Sequence, residues 1–292
     1  MQILNGHRSD KPVRSLAFSP DGTELASSAR DYKTILWELS TGKYRVIDDH
    51  SYSTVAFSPD GTVLATGRAW AVSLWDYEME RLLVVKANEG GYDGPKIAFT
   101  ADGRTMIVVG IGIGLFDYQT GERLQRSSFG RKSVFATNSL ALTPDRKSMA
   151  TGHNGQKRCV RLWDVESRSF QGEITGPTAI VAALAFSPDG RHLAATAGMT
   201  LWVWEVVSKR VVVKHSIDRL FFKDVAFTPD GRFLVFARND ATVSLWDTAS
   251  WTEAAAYDFG IGPMVSVACA PDGMRAAAGS AKGKIVVFDI DV

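Results

Sequence analysis

At 292 residues the chain could hold two ordinary domains, and an apolar share of 45% excludes wholesale disorder. Lys and Arg number 33 against 32 Asp and Glu, and the net charge of +1 singles out no class of partner. Two cysteines exclude a disulfide framework, and no apolar run is long enough for a membrane-spanning helix.

The segment Met1 to Arg8 lacks the apolar core of a signal peptide, so a soluble, cytoplasmic protein is expected. It does hold a short strand-like stretch, Gln2 to Leu4, ahead of Gly6 and His7. The next predicted strand alternates Leu16 and Phe18 and runs into Ala17-Phe18-Ser19-Pro20-Asp21-Gly22. Pro fixes φ and Asp-Gly supplies turn chemistry, so the chain reverses into a second strand. The hexapeptide returns unchanged at Ala56 to Gly61 and at Ala185 to Gly190. Thr replaces Ser at Ala98 to Gly103 and at Ala226 to Gly231, the former also with Ala101 for Pro. Worn copies stand at Ala141 to Arg146 and Ala268 to Gly273. The aspartates Asp21, Asp60, Asp102, Asp145, Asp189, Asp230 and Asp272 follow one another at about 39 to 44 residues, the period of a propeller array.

Each second strand leads through a short hairpin to a third strand that ends in an aromatic residue. These are Trp37, Trp75, Phe116, Trp163, Trp204, Trp246 and Phe288, each followed by Asp or Glu. A turn such as Thr41-Gly42 then precedes a fourth strand, Tyr44 to Ile47 in the first unit and Arg210 to Val213 in the fifth. No helix is predicted. Cys159 and Cys269 fall in strands of different units and read as small buried hydrophobes.

With aromatic and acid in register seven times, the units resemble WD-repeats, the tryptophan–aspartate family of β-propellers, over essentially the whole chain. The resemblance implies an all-β fold, a seven-bladed β-propeller of four-stranded antiparallel blades forming a single domain over residues 1–292. It also implies that the N-terminal strand completes the last blade and closes the ring. The near-verbatim turn motif resembles bacterial members more than eukaryotic ones. Family members carry a buried network of His, Ser or Thr, Asp and Trp. Here its hairpin Asp survives as Asp31 and Asp240, while Ala69, Gly110, Lys157, Gly198 and Lys282 stand at the matching places. Gly6-His7 is the one Gly-His ahead of a first strand, and no unit is expected to hold all four members.

Chemistry is not legible. The five histidines show no zinc-helix spacing, and no nucleophile elbow or Cys–His cue occurs. Gly279 to Lys284 is one residue short of a phosphate loop and lies between strands, and Gly110 to Gly114 reads as a turn. The turn aspartates are expected to bond local backbone N–H groups. The expectation is therefore a protein that is not an enzyme, with no catalytic residue, no metal and no cofactor.

Binding belongs in the loops of such a scaffold. The resemblance implies that the loops approaching each first strand and the hairpins between second and third strands share one face, and there about 18 Lys and Arg oppose about 8 Asp and Glu. The candidate partner-binding residues are Arg14, Arg30, Arg68, Trp70, Lys157, Arg158, Phe222, Lys223, Arg238, Asn239 and Lys282. Trp70 and Phe221-Phe222 are candidate aromatic anchors within the charged rim. Phe222 either packs beneath its own loop or offers contact, and Phe129 in the long loop 125–138 poses the same choice. The expected function is a scaffold, monomeric by itself, for an acidic or phosphorylated protein partner. Nucleic acid on the same basic face ranks behind it, a small ligand in the central channel further behind, and no membrane partner is expected.

Overall fold

The computed structural model describes residues 1–51, 53–76, 78, 80–87, 94–124, 137–154 and 158–290. The turn hexapeptide organises each repeat. In the first unit it joins the inner strand Val13–Phe18 to Glu24–Ala29, and Thr34–Glu38 and Tyr44–Asp48 complete the sheet. Asp21 Oδ1 accepts from Ser19 Oγ at 2.6 Å and from the Thr23 N–H at 3.0 Å, while Ser19 Oγ accepts from the Glu24 N–H at 2.9 Å. Gly22 sits at φ 71°, where a side chain would be strained. The same hydroxyl–carboxylate clasp recurs at Asp60, Asp102, Asp145, Asp189 and Asp230. Burial alone would raise the Asp102 carboxyl, but the hydroxyls of Thr100 and Thr105 and two backbone N–H groups hold it at about 2. The turn aspartates are thus structural, as their spacing suggested. Arg146 stands where the other turns have Gly, at φ 56°, and its guanidinium donates to the Phe99 carbonyl at 2.6 Å. It faces the one turn in which Ala101 replaces Pro, so the two departures share a seam between neighbouring units.

The fold is an all-β, seven-bladed propeller of antiparallel sheets, and the described residues contain no helix. Six sheets show four strands. The third shows Lys96–Phe99, Thr105–Val109 and Ile113–Asp117, and the loop 125–136 with Phe129 lies outside the described residues. Closure runs as the resemblance implied. Gln2–Asn5 pairs antiparallel with Lys284–Asp289, Ile3 opposite Val286, and so forms the outer strand of the last blade. The core lies between blades, where Trp37, Trp163 and Trp204 are fully buried, and one cluster joins Leu4, Val13 and Trp37 to Ala277 and Ile285 across the closing seam. Ser266 Oγ donates to the Val13 carbonyl over that seam at 2.8 Å, and Ser139 Oγ does the same to Val181 at 3.1 Å.

One expectation fails. Blade one does hold all four members of the buried network. His7 Nδ1 lies 3.1 Å from Asp31 Oδ1 and its Nε2 lies 2.9 Å from Ser27 Oγ, which also accepts from Trp37 Nε1 at 2.8 Å. Burial would raise the Asp31 carboxyl, yet His7 and the N–H groups of Arg8 and Lys33 outweigh it and hold it below its ordinary value. Two further blades keep the indole bond and change the outer member. In blade two Thr66 Oγ1 accepts from Trp75 Nε1 at 3.1 Å and donates to Asp48 at 2.8 Å. In blade four Thr151 Oγ1 accepts from Trp163 Nε1 at 2.7 Å and meets His153 Nε2 at 2.9 Å. Asp240 does not join such a network and pairs with Arg238 instead. Blades five and six go without, since the indole N–H groups of Trp204 and Trp246 find no acceptor among the described residues.

Candidate functional site

The meander sends every inner-strand approach and every second hairpin to one face, opposite the Pro-Asp-Gly turns. Large apolar side chains stand out from that face where turns ordinarily carry small or polar residues. Tyr32, Trp70, Ile111 and Met199 tip the hairpins of blades one, two, three and five, and Phe221 precedes the inner strand of blade six. All five are between 41% and 58% exposed. Tyr32 adopts φ 67° at a corner that Ala241 and Gly283 occupy in blades six and seven, so a bulky ring is held in a conformation that disfavours it. Of these, only Trp70 stood among the eleven candidates. Phe221 reads with Phe222 as an aromatic anchor in the sequence, and the signal for Tyr32, Ile111 and Met199 was an apolar residue at a hairpin tip.

The candidates divide. Asn239 fixes Phe221 outward: its Oδ1 accepts from the Phe221 N–H at 2.7 Å and its N–H donates to the Phe221 carbonyl at 3.2 Å. Lys223 Nζ sits 5.1 Å from the Phe221 ring centre. Arg158 is exposed and donates to the Thr178 carbonyl, Lys282 is exposed with its stem over Gly262, and Arg68 is half-buried at the end of Leu64–Arg68. Lys157 lies outside the described residues. Two candidates turn inward. Phe222 is 2% exposed and packs on Phe236 with ring centres 5.3 Å apart, because it occupies the register of Val13, Val181 and Met264, all buried between blades. The Arg238 side chain, 13% exposed, bonds Asp240 at 2.6 Å and Ser244 at 3.1 Å and lies 3.6 Å from Glu253, which commits it to its own blade.

Arg14 and Arg30 gather elsewhere, at the axis. Five inner strands carry a bulge near their start, at Arg14, Asn138, Ala182, Lys223 and Val265, and a bulge re-aims its side chain. These residues line a cavity of about 520 Å³ at the channel mouth on the loop-rich face, to which every blade contributes. Its charged members are Arg14, Arg30, Lys96, Lys223 and Asp224. The Asp224 carboxylate accepts from the N–H groups of Val225 and Val267, both at 2.9 Å, and so latches blade six to blade seven. Burial pushes it up to about 6 against the opposing pull of those bonds and of Lys96. At the other end of the channel lies a cavity of about 670 Å³ lined by Ala17, Ala56, Ala98, Ala141 and Phe57 together with Arg146, where burial pushes the Cys269 thiol up to about 12.

A cluster that the histidine spacing did not suggest is Asp48, Asp49 and His50, whose ligand atoms lie within 4.8 Å of one another. Its one buried member, Asp48, is already bonded to Thr66 and the His50 N–H.

Residues 1–38, 42–76, 168–205 and 214–247 match the family model for the WD40 repeat, WD domain, G-beta repeat. The chain carries WD40 repeats. The first three matches run from the outer strand of one blade through the third strand of the next, and the fourth starts inside an outer strand, so the WD40 unit is staggered against the structural blade. Phe116 and Phe288, in blades outside these segments, lack the tryptophan of the motif. Three relatives agree. Protein LST8 homolog of Drosophila melanogaster is 32% identical over 130 residues, 40% of each protein. WD repeat-containing protein VIP3 of Arabidopsis thaliana is 30% identical over 180 residues, 54% of each. Guanine nucleotide-binding protein subunit beta-like protein 1 of Mus musculus is 24% identical over 291 residues, 98% of this chain and 80% of that protein. The chain thus spans about half the length of the first two. All three are eukaryotic, and the expected bacterial type finds no support in them.

Proposed function

We propose that this WD40 propeller is a non-enzymatic scaffold that docks a protein partner on its loop-rich face. The reading is carried by the exposed Tyr32, Trp70, Ile111, Met199 and Phe221 sharing that face within a rim of Arg30, Arg68, Arg158, Lys223 and Lys282. Aromatic anchors surrounded by arginine are the composition of interface hot spots. The basic rim makes the partner acidic or phosphorylated. The test compares partners retained from native lysate by the wild type, by Trp70→Ala/Phe221→Ala and by Leu82→Ala, whose exposed side chain lies on an outer strand. Loss from the double variant alone supports the reading. Equal retention by all three refutes it.

A further inference from the structure

We propose that the axial mouth on the loop-rich face is a polyanion site, taking a group with two or more phosphates between Arg14, Arg30, Lys96 and Lys223. The inference deepens the docking reading by giving the acidic ligand an address. Its basis is geometric. The inner-strand bulges turn Arg14 and Lys223 toward the axis, Arg30 reaches the same cavity from the hairpin of Arg14's own blade, and Lys96 reaches it from blade three. A cavity of about 520 Å³ suits a compact ligand. Four cations around one concave mouth focus potential there, while the described lining of the far cavity carries a single charged residue, Arg146.

Asp224 is the one acidic group among the described lining residues and tunes the site. Facing it are Lys223 on its own strand, Lys96, Arg14 and Arg30 around the mouth, and the neutral Cys269 thiol of blade seven. Ser15 shows that the carboxylate is not needed for the latch, since its Oγ accepts from the Val55 N–H at 3.3 Å at the equivalent place between blades one and two. A half-buried carboxyl with its value raised to about 6 is charged at neutral pH and opposes an anion, and it loses that charge as pH falls through about 6.

The test titrates the full chain with inositol hexasulfate, whose sulfate groups keep their charge over this pH range, and reads the heat of binding. One site is expected, weakening with salt. Arg14→Ala/Lys223→Ala should lower affinity about tenfold or more and flatten the salt slope by about 2. Lys43→Ala, on the opposite face, should change neither. For the wild type affinity should rise several-fold from neutral pH to below 6, and Asp224→Ser should bind tightly at both values and lose the pH dependence. A second titration uses a peptide bearing two phosphoserines. If it binds more tightly than the hexasulfate, the source is a modified partner, and if more weakly, a free polyphosphate; either ordering supports the site. No binding at low salt, or binding unchanged in the double variant, overturns the proposal. So does a pH dependence that survives Asp224→Ser. No protein partner is present, so failure here is separate from failure of the docking reading.

Discussion

Removing one hydroxyl should separate a satisfied blade from an unsatisfied one. Ser27 Oγ is fully buried and joins Trp37 Nε1 at 2.8 Å to His7 Nε2 at 2.9 Å. Ser27→Ala strips both of their partner. Each buried group left unsatisfied costs about 1 to 3 kcal/mol, so the variant should lose roughly 2 to 5 kcal/mol. In blade five Ala195 stands at the place of Ser27, and Thr196 beside it is equally buried on the opposite face from Trp204, where its Oγ1 has no hydrogen-bond partner among the described residues. Thr196→Val keeps the shape and removes a group that already lacks a bond, so it should change stability by less than about 1 kcal/mol or raise it. Ser27→Thr, which installs the hydroxyl that Thr66 and Thr151 carry in blades two and four, should stay close to wild type. Urea midpoints by tryptophan fluorescence give the ranking, and amide hydrogen exchange shows whether the loss is centred on blade one. Equal shifts for Ser27→Ala and Thr196→Val would falsify the view that the network holds blade one.

Other expectations follow from the same geometry. Burial, helped by Arg161 and opposed by Glu173, pushes the His153 imidazole down to about 4. A depressed value gives stability that is full above about 6.5 and lost as pH falls through about 4, up to about 3 kcal/mol. His153→Gln should therefore flatten the slope of stability against pH in that window, and an unchanged slope counts against it. A Cβ at Gly279 would lie 2.8 Å from Val13 Cβ and 2.5 Å from Ser266 Oγ, across the closing seam. Gly279→Ala should cost about 1 to 3 kcal/mol, read as a lower thermal midpoint. Leu4, 3% exposed in the closing strand, should cost about 2 to 5 kcal/mol as Leu4→Ala, with the first exchange losses in blade seven.

The scaffold was legible because its signals are local. Ser-Pro-Asp-Gly encodes a reversal within four residues, and its sevenfold return encodes the ring. The closing strand could be read because the family resemblance implies one and Gln2 to Leu4 is strand-like. Blade one's network was misjudged for the opposite reason: His7, Ser27, Asp31 and Trp37 come from separate segments, and the strand hydroxyl is inconspicuous beside Ser28. Phe222 was resolvable, since counting back four from the recurring Ala places it with Val13, Val181 and Met264. The axial mouth was not. A bulge shifts side-chain direction by one position without leaving a fixed residue type, so Arg14, Asn138 and Val265 carry no common letter to betray it. Tyr32, Ile111 and Met199 were overlooked because charge, rather than the size of the hairpin residue, guided most of the search.

The strand Gln2–Asn5 has a consequence for how the protein is made. Its partner Lys284–Asp289 leaves the ribosome about 285 residues later, a wait of roughly 15 to 60 s at ~5 to 20 residues per second. Throughout that time a strand with an unpaired edge hangs from the first finished blade, and the seam it will seal stands open. Neighbouring blades can pack as they emerge, but the ring cannot. The propeller is therefore most exposed to wrong pairing just before its last blade is made, and anything that shields Gln2–Asn5 until then acts on assembly rather than on the finished fold.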